Sequence, residues 1–189
     1  MIQRGVTPHS LLSVVPLPPR PGLYLILGPQ DLIPWALQTM TLAFSPKPII
    51  WIDAANRFNA HWVSIVARSV YKDPAMVLSS FHVARPFTAY QLEAMMTQKV
   101  LSAAHRYQAF FSVIADPLSL YEGAEGRDTQ VRQSFRRFIE GVRNAATRVP
   151  LVMLIPEPAP QNYFPALLAE ATWRRRLQVV NHNQQLVEA

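Results

Sequence analysis

The sequence predicts an α/β fold: a mostly parallel central sheet with helices on both faces. Three observations lead there. Strand-length apolar runs alternate with stretches of helical period along the chain. Those runs are nearly continuous in apolar character, as strands covered on both faces require. A length of 189 residues suffices for one core of that size, and is short for two. We therefore expect a single domain over 1–189, in which 1–21 is an N-terminal arm and 181–189 a tail.

The elements follow in order. Residues 23–27, LYLIL, are the first expected strand, and 32–44 the first helix with Asp31 at its N-cap. Strand 48–52 precedes helix 59–70, the apolar run 76–83 reads as a third strand, and helix 88–107 follows. After strand 109–115, residues 130–148 give the clearest helix. Its Val131, Phe135, Phe138, Ile139 and Val142 fall at i, i+4, i+7, i+8 and i+11 and make one apolar face. Strand 151–155 runs into the proline-rich PEPAPQNYFP, then a short helix 166–171 and a last strand 173–180. The tail NHNQQLVEA is expected to fray. Such strand–helix alternation is the pattern of a wound α/β domain.

Composition narrows the class. Half of the residues are apolar and only 16% are charged, which favours a packed globule over a disordered chain. No apolar run approaches the roughly 20 residues that span a bilayer. The apolar stretch 11–15 is followed by prolines and not by a cleavage site, so a signal peptide is not expected either. Cysteine is absent, which excludes disulfides and thiolate metal sites. A cytoplasmic protein is the default expectation. The net charge of +6 rests on fifteen Arg and three Lys. It permits a nucleic-acid partner, or it reflects a compositional bias toward Arg and Pro.

Six stretches carry more specific information: LYLILGPQDLIPW, PIIWIDAANRFN, FHVARPFTAYQLEAMM, FFSVIADPLSLY, EGRDTQVRQSFRRFIEGVRNAATRVPLVMLI and WRRRLQVV. In this order and spacing, over roughly residues 5–180, they resemble the ATPase core of the RecA/RadA recombinase superfamily. The resemblance implies a RecA-like three-layer domain. It places GPQDLIPW at the phosphate loop, Asp53 at the end of the second strand, and Arg85 after the third. Asp116 falls at the end of the strand that supports magnesium.

Against that pattern the chemistry is missing. A phosphate loop uses glycines so that backbone N–H groups wrap the phosphates, a Lys for their charge, and Ser or Thr for magnesium. Counted from Gly28, this chain has Ile33 for the second glycine, Pro34 for the Lys and Trp35 for the hydroxyl. Ile33 disfavours positive φ, Pro34 lacks an N–H, Trp35 supplies bulk, and Asp31 adds negative charge. The family's catalytic Glu, two residues after the strand-end Asp, is Ala55, which cannot take a proton. Asp53 and Asp116 then read as caps of the turns that follow them, or as the remnant of a magnesium site. We expect a degenerate nucleotide site and no cofactor. Leu32, Ile33 and Trp35 are expected to pack as core.

Other chemistries find no support. The five histidines, His9, His61, His82, His105 and His182, include no pair three or four apart on one helix. His82 lies in an apolar run and reads as a core residue. Neither a G-x-S-x-G elbow nor a Cys nucleophile occurs.

Partners are suggested by the arginines. Arg127, Arg132, Arg136, Arg137, Arg143 and Arg148 lie on or beside one helix, and Arg174, Arg175 and Arg176 follow Trp173. Arg132, Arg136 and Arg143 share a face, and Arg174 and Arg176 share one side of their strand. Arg127, Arg132, Arg136, Arg137, Arg143, Arg174 and Arg176 are the candidate DNA contacts. The alternative is a solvated face on which Glu140 pairs Arg136 and Arg143. The equivalents of the family's DNA loops are poor in positive charge, and Tyr163 and Phe164 are their candidates for base stacking or an apolar protein contact. The resemblance also implies assembly, with a second copy or a RecA/RadA-type ATPase. The apolar arm 11–19 suits an extended segment on such a partner, or a cover for an edge of its own sheet.

Overall fold

The structure is a computed structural model that describes residues 20–43, 47–122, 129–160, 162–180 and 185–188. The expected arm (except Arg20 and Pro21) and Arg127 lie outside these residues, as do His9 and His182.

Each apolar run becomes a strand because its neighbours bury both of its faces. Strand β1 (Gly22–Gly28) is buried along its whole length. Strands β2 (Ile49–Asp53), β4 (Phe111–Ala115) and β5 (Pro150–Pro156) are buried nearly as completely. Strand β3 (Phe81–Ala84) is half-exposed, and β6 (Trp173–Val180) and β7 (Gln185–Glu188) complete the set. The sheet order is β3-β2-β4-β5-β1-β6-β7. The pairs from β3 through β6 are parallel, and β7 lies antiparallel on β6.

Helices cover both faces. On one side lie α1 (Leu32–Leu42), α2 (Ala60–Ser69) and α3 (Pro74–Ser79). They pack Leu32, Ile33, Val63 and Val77 against Ile26, Trp51, Val113 and Leu154 of the sheet. The other side carries α4 (Ala89–Ala94), a π-helical segment (Met95–Lys99) and α5 (Val100–Tyr107). It also carries α6 (Thr129–Ala146) and α7 (Phe164–Glu170). There Leu92, Met96, Phe138 and Leu167 meet Leu25, Ile114 and Met153. This is the expected α/β three-layer arrangement with a mostly parallel sheet. No helix among the described residues is long and apolar enough to cross a membrane.

Three expectations are corrected. The run 76–83 is not one strand, because Asp73 caps Ala75 N–H at 2.9 Å and Pro74 opens α3, so only Phe81–Ala84 remains extended. An Asp–Pro pair is a helix-start signal, and it overrides the apolar run behind it. The tail is not wholly frayed: Gln185–Glu188 pairs with Leu177–Val180. His82 is not core, since β3 is the sheet edge and the imidazole stacks on Tyr107 at 3.8 Å in a half-buried position.

Candidate functional site

In an open α/β sheet, ligands bind beyond the carboxyl ends of the strands where the strand order reverses. Here that place lies beyond β1, which is flanked by β5 on one side and β6 on the other. Gly28, Asp53, Asp116 and Glu157 all sit on this edge.

The loop after Gly28 is short. Leu32 N–H donates to the Pro29 carbonyl at 2.9 Å, and α1 begins at Leu32. Trp35 N–H donates to the Asp31 carbonyl at 3.0 Å. Pro34, exposed in the first turn, has no N–H to offer. The Leu32 N–H is thus turned into the loop itself, the Trp35 N–H makes the first i→i−4 bond of α1, and Pro34 has none. Leu32 and Ile33 are fully buried, and Trp35 packs half-buried against the same cluster, as expected for core. Asp31 occupies the N-cap position but makes no side-chain capping bond, contrary to its expected role.

The rest of the edge is joined by polar links. Asp53 is fully buried, and its carboxylate accepts the N–H groups of Arg57 and Phe58, each at 2.9 Å. The Arg85 guanidinium adds an ion pair to it at 3.2 Å and donates to the Phe58 carbonyl at 2.9 Å. Arg57 Nη1 reaches across to the Gln30 carbonyl at 2.8 Å. Gln30 Nε2 donates to the Glu157 carbonyl at 3.1 Å, and Arg176 pairs with the Glu157 carboxylate at 2.8 Å. Ala55, half-buried, packs against the apolar cluster.

Asp53 therefore caps the turn after β2. Asp116 does not cap in this way. It sits in the left-handed region at φ 49° with no side-chain capping bond, and Ser119 Oγ donates to its backbone carbonyl at 2.8 Å. Burial raises the Asp116 pKa above the usual aspartate value, against the opposing pull of Arg57 and the Ser119 N–H. No group of three or more His, Asp or Glu is arranged to hold a metal ion among the described residues.

A second feature lies between α6 and α7. Arg132, Arg136 and Arg143 do share one face, and with Phe135, Ile139, Glu140, Asn162, Tyr163 and Ala166 they line an open cavity of about 490 Å³. Arg143 forms a bidentate pair with Glu170, at 2.6 and 2.9 Å, in place of the expected partner Glu140. Hydrogen bonding to Arg143 lowers the Glu170 pKa.

The remaining candidates are dispersed. Arg137 turns away to Glu93 of α4 at 3.4 Å, and Arg176 belongs to the edge network. Arg174 is exposed on β6. Tyr163 is only 6% exposed and packs on Phe135 with ring centroids 4.6 Å apart, which removes it as a base-stacking platform. Phe164 is half-buried against the core.

Sequence reading passed over Arg57, Gln30 and Glu157. Their only signal was position, each just beyond a strand end. No protein-family model matches the chain, and no curated protein matches it.

Proposed function

We propose that the chain is a non-hydrolysing, RecA-like pseudo-ATPase that serves in the cytoplasm as an accessory or scaffold subunit in DNA recombination or repair. One observation carries the nucleotide part: the loop after Gly28 closes on itself, with Leu32 N–H bonded to the Pro29 carbonyl and Pro34, which has no N–H, in the first turn of α1. The link to recombination rests on the ordered motifs in the sequence. Loss of the phosphate cradle, its cation and the catalytic carboxylate leaves a framework whose remaining use is contact. Calorimetry of the full chain with magnesium-ATP tests this. No saturable heat is the expected result, and stoichiometric binding overturns it.

The second reading is a protein-interaction module, paired with an active ATPase or with itself, that makes no DNA contact. It is favoured by the ion pairs that occupy Arg137, Arg143 and Arg176. A DNA contact would fall mainly to Arg132, Arg136 and Arg174. Retention of labelled DNA that weakens steeply with salt separates the two, since each phosphate contact adds roughly one unit to the salt slope.

A further inference from the structure

The geometry points to the cavity between α6 and α7 as a docking groove for a short acidic peptide segment with an apolar anchor, supplied by a partner protein. Its floor is apolar, formed by Phe135, Ile139, Tyr163 and Ala166. Its volume of about 490 Å³ gives room for an apolar side chain in a groove that stays open to solvent. Along one wall Arg132, Arg136 and Glu140 follow at i, i+4 and i+8, so one end of the groove is positive and the other carries a carboxylate.

Charge complementarity selects the occupant. Arg143 is neutralised by Glu170, and that pair ties the two helices together at one end. Arg132 and Arg136 are exposed and enter no ion pair among the described residues. Guanidinium groups of this kind take carboxylates in bidentate fashion. A nucleic-acid strand fits less well. Phe135 and Tyr163 are each 6% exposed, too little for a base to stack on a ring face. This inference is independent of whether nucleotide binds at the strand ends.

Fluorescence anisotropy on the full chain tests it. The probes are a short labelled peptide of Asp, Glu, Leu and Phe, the same peptide with Lys in place of its acids, and labelled oligothymidylate. The acidic peptide should bind saturably and the Lys peptide should not. The double variant R132E/R136E should weaken binding by about tenfold or more. Ala166→Trp, which fills the groove without changing charge, should abolish it. On the unaltered chain, the acidic peptide should slow amide exchange in α6 and at 162–167. Absence of acidic-peptide binding, binding unchanged by Ala166→Trp, or oligothymidylate bound at the same residues in its place would each overturn the assignment.

Discussion

Asp53 shows how a buried carboxylate is held at the end of a strand. Its buried carboxylate is held by two N–H donors and Arg85, and so it organises the turn after β2. Asp53→Ala leaves those donors unmatched and should lower unfolding free energy by about 1–3 kcal/mol, read from denaturant midpoints. Asp116 makes the opposite prediction. Its raised folded pKa means that the native state disfavours its charge. The protein gains from Asp116 being protonated, and that gain is lost as pH rises from the ordinary value of 3.8 through the raised one. Asp116→Asn, which tolerates the left-handed backbone, should therefore raise the denaturant midpoint at neutral pH. The difference from the unaltered chain should close as pH falls into the acid range. The strand-end position of both carboxylates was legible in the sequence. Their different surroundings were not, because those come in part from Arg85 reaching Asp53 and Arg57 acting on Asp116, each from a different strand-end loop.

Among the elements, α6 was the most legible, since its 3.6-residue period is local and long enough to be unambiguous. The helix expected at 88–107 is present but passes through the π-helical segment at Met95–Lys99. Gly141 of α6 packs directly on that segment: a Cβ there would stand 3.0 Å from the Met96 carbonyl carbon and 3.1 Å from Thr97 Cγ2. A glycine in mid-helix usually gains from replacement by alanine, by about 1 kcal/mol. Here backbone lies in the way, so Gly141→Ala should lower the thermal midpoint. A rise would show that α6 and the π-helical segment are free to separate. The run at 76–83 was misread for the converse reason. A short apolar stretch has no period long enough to tell helix from strand, and the Asp73–Pro74 start signal decided it locally.

On the scale of the whole molecule, β5 lies at the centre of the sheet and separates the two apolar layers. Leu154 faces one layer and Met153 the other, and both are fully buried. Leu154→Ala should cost about 2–5 kcal/mol, and circular dichroism and tryptophan fluorescence should still report one shared unfolding transition. Two separated transitions would mean that the layers do not fold as one unit.

By itself the sequence determined the α/β class and the helix–strand alternation, because each depends on residue type and short-range spacing. The tertiary structure alone decided which arginines are exposed without ion pairs among the described residues and which are paired, that Tyr163 is floor and not platform, and that α6 and α7 enclose a groove. Those facts depend on side chains far apart in the chain meeting across packed layers, and a linear pattern does not encode such meetings.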